Sequence, residues 1–266
     1  MSKQGIIYVA TGMKYLQEAL QSAASVQLAM PGFPMTIFTD QTPPAGVFER
    51  VIPVDGKGMG RPAKIRSMAE SPYEETLFLD TDTWMCQSCA DIFWPLEKYD
   101  LAVAHEVYRN EYAFEEFPDS FPALNTGVVV YRKNERTAAF FQEWERSYLD
   151  VFRHKRPADQ PAFRHTLFHS EVRHYILPSE YNFRTNYPVV LGGFARAKIV
   201  HDRSPFMKEL VALLGHDTSH PPIFFGHVNF RFWRTWAWIR TRTILRRAWA
   251  MGAKGLWKRL FKDSAR

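Results

Sequence analysis

The chain has 266 residues, 46% of them hydrophobic and 23% charged, which excludes extended disorder and suits one large α/β domain or two small ones. Its two cysteines, Cys86 and Cys89, are too few for a disulfide scaffold, and no apolar run reaches the roughly 18 residues that span a bilayer. The net charge of +6 is uneven: from residue 229 onward eleven Lys or Arg stand against one Asp, a net of +10, so the first 228 residues carry about −4 and are a poor nucleic-acid surface.

In chain order, residues 5–11 read as a buried parallel strand, because the run is apolar and β-branched without alternation. Residues 15–30 have helical spacing, with Leu16, Leu20, Ala23, Ala24, Gln27 and Leu28 along one side, and Pro31-Gly32 ends the helix. Residues 34–40 and 48–54 are the next strands. A glycine-rich loop, 55–60, then leads into a helix opening at Arg61-Pro62, where the missing proline N–H costs nothing. Residues 76–79 form a strand that runs straight into Asp80-Thr81-Asp82. Residues 101–105 and 127–131 are further buried strands, 134–152 and 159–168 helices, and 172–177 and 198–200 short strands. Such alternation predicts an open parallel or mixed sheet with helices on both faces, in which ligands bind beyond the carboxyl ends of the strands.

The polar residues of interest fall at those ends. Asp80 and Asp82, two apart in extended chain, point the same way. Adjacent carboxylates repel unless a cation lies between them, and a hard divalent ion carrying a substrate phosphate is the natural one. The plainer alternative is one helix cap and one solvated side chain. His201 follows the apolar run 197–200. A lone histidine is more often structural, but an imidazole added to two carboxylates suits manganese better than magnesium. Asn125-Thr126-Gly127 is small enough for close approach of a ligand to the backbone, or for a tight turn. Asp159-Gln160 by itself suggests only an N-cap. Residues 108–122 are aromatic and acidic, either an acceptor-side lid or a loop packed by its own rings. Cys86-x-x-Cys89 has no second cysteine pair and is not read as a zinc or redox motif.

Taken in order, Tyr8-Val9-Ala10-Thr11, Leu77-Phe78-Leu79-Asp80-Thr81-Asp82, Leu124-Asn125-Thr126-Gly127-Val128, Asp159-Gln160-Pro161, Leu177-Pro178-x-x-Tyr181-Asn182 and Val200-His201 resemble the GT-A glycosyltransferases. The match is nearest to family 8, the group of glycogenin and bacterial lipooligosaccharide galactosyltransferases, over residues 5–203. The resemblance implies a Rossmann-like GT-A mixed sheet and a nucleotide-diphosphate-sugar donor, UDP being favoured over GDP. It also implies a Mn2+ or Mg2+ ion and transfer to a glycan or lipid-linked acceptor with retained configuration. By resemblance, Asp80, Asp82 and His201 bind the metal, while Ala10, Thr11 and Tyr15 line the nucleotide pocket. Arg61, Lys64, Arg66, Asp80 and Thr126 touch the donor. Asp159, Gln160 and Asn125 act at the reacting sugar. Should the enzyme invert instead, Glu106, Glu115 and Glu116 are the candidate bases.

Residues 229–266 are expected to form a separate tail that holds five of the eight tryptophans. Leu245, Trp249, Leu256, Trp257, Leu260 and Phe261 fall on one side of a helical wheel, and Arg247, Lys254, Lys258 and Lys262 on the other. This pattern predicts a basic amphipathic helix bound to an anionic membrane surface, or else packed on the body or a partner subunit. No charged-then-apolar leader is visible at the start, so the expected place is the cytoplasmic face of the membrane, with no nucleic-acid partner. Two other functions compete. A sugar nucleotidyltransferase needs a phosphate loop after the first strand, which Ala10-Thr11-Gly12-Met13-Lys14 matches poorly. A non-catalytic membrane- or glycan-binding protein on the same fold would not need Asp80, Asp82 and His201 intact.

Overall fold

The structure is a computed structural model that describes residues 3–55, 60–109, 114–155, 158–184 and 197–203, together with Trp238, Thr241, Arg242 and Leu245. The chain forms two compact units, Met1–Phe224 and Phe225–Arg266. In the first unit the elements run β1 (Gln4–Ala10), α1 (Met13–Ala29), β2 (Met35–Thr39), β3 (Arg50–Pro53), α2 (Gly60–Ala69), β4 (Glu75–Leu79) and β5 (Thr83–Met85). A 3₁₀ helix (Ala90–Glu97) precedes β6 (Leu101–His105), β7 (Leu124–Arg132) and α3 (Glu135–Ser147). A π-helical turn (Tyr148–Phe152) then joins the single turn α4 (Arg153–Lys155), followed by α5 (Gln160–Phe168), β8 (His174–Leu177), β9 (Phe183–Arg184) and β10 (Ile199–His201).

Seven strands form the main sheet in the order β3-β2-β1-β4-β7-β6-β8. Only β7 runs antiparallel to its neighbours; the other pairs are parallel. The expected mixed α/β sheet is therefore present. The carboxyl ends of β1, β4 and β6 meet the start of β7 along one edge, which is where the polar residues collect.

Strand alternation divides the core into two layers. Ile6, Tyr8, Leu77, Leu79, Val128 and Val130 face α1 and the 3₁₀ helix. Ile7, Phe78, Val103, Val129 and Tyr131 face α2, α3 and α5, where Trp144 and Phe163 are fully buried. The buried stripe of α1 is Leu16, Ala19, Ala23 and Val26, whereas Leu28, expected on that stripe, is exposed. Ser22 and Ser25 are buried too, because Ser22 meets Tyr8 and Thr83 while Ser25 accepts the Met85 N–H.

A second sheet, β5-β10-β9, lies beside the acidic pair. β10 pairs antiparallel with β5, setting His201 opposite Thr83, and the Asp202 N–H donates to the Asp82 carbonyl (3.0 Å). The predicted helix 134–152 is shorter than expected. Asn134 caps α3 through a reciprocal pair with Thr137, and the helix loosens to a π turn at Tyr148.

Among the described residues no helix is long and apolar enough to cross a membrane. In the second unit, Trp238, Thr241, Arg242 and Leu245 are helical, and the Arg242 guanidinium lies over the Trp238 ring at 5.0 Å. The other tail residues of the predicted amphipathic face, including Trp249 and Trp257, lie outside the described residues.

Candidate active site

Asp80 and Asp82 follow β4, and β10 delivers His201 beside them. The His201 Nε2 lies 3.7 Å from Asp80 Oδ2 and 3.6 Å from Asp82 Oδ1. One ligand atom from each residue falls within 4.8 Å of the others. Burial alone would raise the Asp82 carboxyl, but His201 and Arg203 outweigh it and hold it well below the usual range. Burial wins at Asp80, whose carboxyl is raised despite the pull of Lys64 and His201. A carboxylate pair in which one member resists ionisation is stabilised by an added cation.

Hydrogen-bond direction fixes which imidazole nitrogen faces this pair. The Gly127 N–H, a donor without ambiguity, reaches Asn125 Oδ1 (2.9 Å), so that atom is the amide oxygen. Asn182 Nδ2 donates to the same oxygen (2.8 Å), which leaves Asn182 Oδ1 as the acceptor for His201 Nδ1–H (2.9 Å). Nε2 is then the nitrogen that faces both aspartates and is the one available to a metal. Metal-binding imidazoles are oriented in this way by a partner on the far nitrogen. Two carboxylate oxygens and one such nitrogen fit a divalent cation of the manganese or magnesium type.

Gly127 has a second role. A Cβ built there would collide with the His201 ring, so the space left by the glycine is filled by imidazole and not by a ligand, as its size alone suggested. β7 begins at Leu124, three residues earlier than expected. Ala104 pairs with Asn125 but Val103 with Val129, so residues 126–128 bulge out of the β6 ladder while Val128 stays paired with Leu79. Bulges re-aim side chains next to functional sites. Here the bulge turns Asn125 and Thr126 toward opposite clusters.

Thr126 belongs to the cluster around Lys64. The Lys64 Nζ lies 3.1 Å from both Asp80 Oδ1 and Asp159 Oδ2 and donates to Thr126 Oγ1 (3.2 Å), which donates to Asp159 Oδ2 (2.9 Å). Burial would lower the Lys64 ammonium and raise the Asp159 carboxyl. Their mutual attraction overcomes both costs, so Lys64 is raised, Asp159 is lowered, and each stays charged. Asp159 occupies the N-cap position of α5 but caps nothing with its side chain. The Trp144 indole N–H donates to its carbonyl (3.2 Å), and Arg61 Nε approaches Oδ1 at 3.7 Å.

Asn125 belongs to the cluster around Glu106, which is 3% exposed. Glu106 accepts from Val107 N (2.7 Å), Asn125 Nδ2 (2.6 Å) and Gln160 Nε2 (3.1 Å), with Arg184 at 3.4 Å. Its oxygens are therefore occupied, and it is poorly placed to serve as the base suggested for an inverting reaction. Glu116 faces His165, on the far end of α5 from Asp159.

A cavity of about 350 Å³ opens beside these groups, lined by Thr11, Tyr15, Arg61, Lys64, Asp80, Asp159 and Arg203 among others. Three expected donor residues do not line it: Thr126 is buried and bonded to Lys64 and Asp159, and two others lie elsewhere. Ala10 is fully buried in the α1-facing core, because strand alternation turns Val9 and not Ala10 toward the cavity. Arg66 faces α3, where it pairs with Glu145. Sequence reading gave no role to Asn182, Arg203 or Glu18. Arg203 lies over the Tyr15 ring (5.2 Å) and bridges Glu18 (3.2 Å) to Asp82 (3.6 Å), closing the cavity's edge. At the N-cap of α1, the Gly12 N–H (φ 85°) donates to Asp40 Oδ1 (2.7 Å) and lowers that carboxyl.

The family model for nucleotide-diphospho-sugar transferases matches residues 61–214, more than half of the chain. The chain belongs to the nucleotide-diphospho-sugar transferase family. It is thus a glycosyltransferase whose donor is a nucleotide-diphosphate sugar. No curated protein sequence matches the chain. Among solved structures, the galactosyltransferase LgtC, crystallised with donor and acceptor sugar analogues, is similar at a TM-score of 0.55 and 16% identity, over 82% of this chain and 97% of that one. The glycosyltransferase GlyE of Streptococcus pneumoniae TIGR4 is similar at a TM-score of 0.57 and 15% identity, over 76% of this chain and 56% of that one. At such identities the likeness establishes the GT-A fold of this nucleotide-diphospho-sugar transferase, and its site must be argued from its own residues.

Proposed function

We propose that the protein transfers a hexose from a UDP-sugar to a glycan or lipid-linked acceptor, with Mn2+ (or Mg2+) held by Asp80, Asp82 and His201 and with retention of configuration. The observation that carries this reading is the convergence of those three side chains, with Nε2 of His201 facing both carboxylates, where one of them, Asp80, also lines a cavity shared with Lys64 and Asp159. When bound, the metal would neutralise charge on the diphosphate leaving group.

The remaining steps belong to the chain's own residues. Lys64 and Arg61 offer fixed cations to the diphosphate, and fixed charge in a water-poor site stabilises a leaving anion better than solvent does. Thr11 and Tyr15 line the nucleotide end. Asp159, kept ionised by Lys64 and Thr126, faces the positive charge that develops on an oxocarbenium-like sugar. Gln160, held by Glu106, orients the sugar hydroxyls, whereas Asn125, expected to do the same, is fully buried with its amide bonded to Glu106, Gly127 and Asn182 and acts only through those neighbours. Occupation of Glu106 removes the best-buried candidate base and so favours retention over inversion. The basic, tryptophan-rich tail binds the cytoplasmic membrane surface and brings the site to a lipid-linked acceptor.

Release of nucleotide from a panel of UDP- and GDP-sugars, with and without Mn2+, tests this reading. We expect one UDP-sugar to be turned over only with metal, and Asp82→Ala to lose at least about a hundredfold in rate, as an ablated electrostatic stabiliser does. Equal turnover by the variant, or turnover in chelator, would refute metal dependence through this site.

A further inference from the structure

Outside the donor site, one other trio of metal-ligating side chains converges among the described residues: Glu116, His165 and His169. We propose that these three form a second metal site, of zinc type, which pins the segment 114–121 to the C-terminal end of α5.

His165 and His169 stand one helical turn apart, the spacing that puts two imidazoles on one face. Their ring centroids are 4.7 Å apart. Glu116 enters from the loop between β6 and β7, with Oε1 3.3 Å from His165 Nε2. Zinc bonds of about 2.0–2.1 Å imply ligand-to-ligand edges of roughly 3.3 Å in a tetrahedron, so this edge already has the required length. Two imidazoles and one carboxylate form a borderline ligand set that prefers zinc or cobalt to magnesium. That preference separates this site from the oxygen-rich pair at Asp80 and Asp82.

The surroundings hold the ligands in place. Phe114, Phe117 and Phe152 pack around the His165 ring at centroid distances of 6.0, 6.0 and 5.6 Å. The Phe117 N–H closes a turn on the Phe114 carbonyl (3.2 Å), which presents Glu116 to the helix. Arg164 lies over Phe114 and Phe117 at 5.6 and 5.1 Å. Glu116 and His169 are exposed, leaving room for a water as fourth ligand. Because α5 starts at Gln160, next to Asp159, a metal here would brace the loop against the helix that carries the sugar-facing carboxylate.

The test is a Co2+ titration of the untagged full-length protein in excess Mg2+, followed by visible absorption and by displacement with Zn2+. One equivalent of Co2+ is expected to give a tetrahedral absorption band that Zn2+ abolishes. His169→Ala and Glu116→Gln, both at exposed positions, should each weaken binding at least about tenfold, since losing a ligand exceeds losing an outer partner. Asp82→Ala should leave the band intact, which keeps this site distinct from the donor site. Zn2+ should also slow amide exchange across residues 114–121 in the wild type and not in Glu116→Gln. Absence of a band in the wild type, unchanged binding in both variants, or loss of the band in Asp82→Ala would each overturn the proposal.

Discussion

His201 is held by three features of different kinds: Asn182 on Nδ1, close packing of the ring against Gly127, and the pairing of the β10 backbone with β5. Removing the Asn182 amide frees the imidazole to rotate and to exchange tautomers. Asn182→Ala is therefore expected to weaken Mn2+ binding by about 10–100-fold, measured by electron paramagnetic resonance of free Mn2+, and to cost about 1–3 kcal/mol of stability because the buried His201 Nδ1–H loses its partner. Gly127→Ala should be harsher. Its methyl group displaces the ring, removes metal binding and costs about 1–3 kcal/mol of stability by overpacking, visible in a denaturant titration. These two residues show where sequence reading stops. Asp80, Asp82 and His201 were legible because they follow apolar, strand-like runs, whereas Asp159 stood out only through the family resemblance. Asn182 and Gly127 act through partners that only the β5–β10 pairing brings near. Arg66 misled because helical spacing does not say which face of α2 meets the cavity and which meets α3.

At the scale of elements, Asp100 ties four segments together just before β6. It is 0% exposed and takes Arg132 (2.8 Å) from β7, Asn134 (2.9 Å) and Arg136 (3.4 Å) from the start of α3, and the Arg173 N–H (3.0 Å) ahead of β8. Burial would raise its carboxyl, yet the arginines hold it well below the usual range. A depressed carboxyl contributes stability that is complete above the unfolded value of about 3.9 and is lost as pH falls toward the folded value. Asp100→Asn should cost roughly 2–4 kcal/mol at neutral pH, less than a wholly buried pair because the arginines are a third to a half exposed. The variant's stability should also fall less steeply below pH 4, as followed by thermal melts across pH. The long apolar strands β1, β4 and β6 were legible from composition. The three-residue β5 and two-residue β9 were not, since so short a run carries no period, and the early start of β7 was hidden by a turn-like Asn-Thr-Gly that is a bulge.

At the scale of the whole molecule, the fold and the family agree, and the family model spans most of the strands that carry the site. The acidic-to-neutral body and the basic tail divide the labour we propose: the body binds donor, and the tail binds membrane. Co-sedimentation of the full chain with vesicles rich in anionic lipid should fall with salt as charges are screened beyond about 10 Å at 0.1 M. Trp249→Ala together with Trp257→Ala should weaken it further while leaving donor hydrolysis unchanged. Binding that ignores both salt and these tryptophans would remove the membrane reading without touching the transferase. The most direct test of the donor site itself is a crystal of the protein grown with Mn2+ and UDP, measured at the manganese absorption edge. An anomalous peak among Asp80, Asp82 and His201, with the diphosphate extending toward Lys64, is the predicted result. A nucleotide bound without metal there, or manganese bound elsewhere with these three side chains unchanged, would contradict the account.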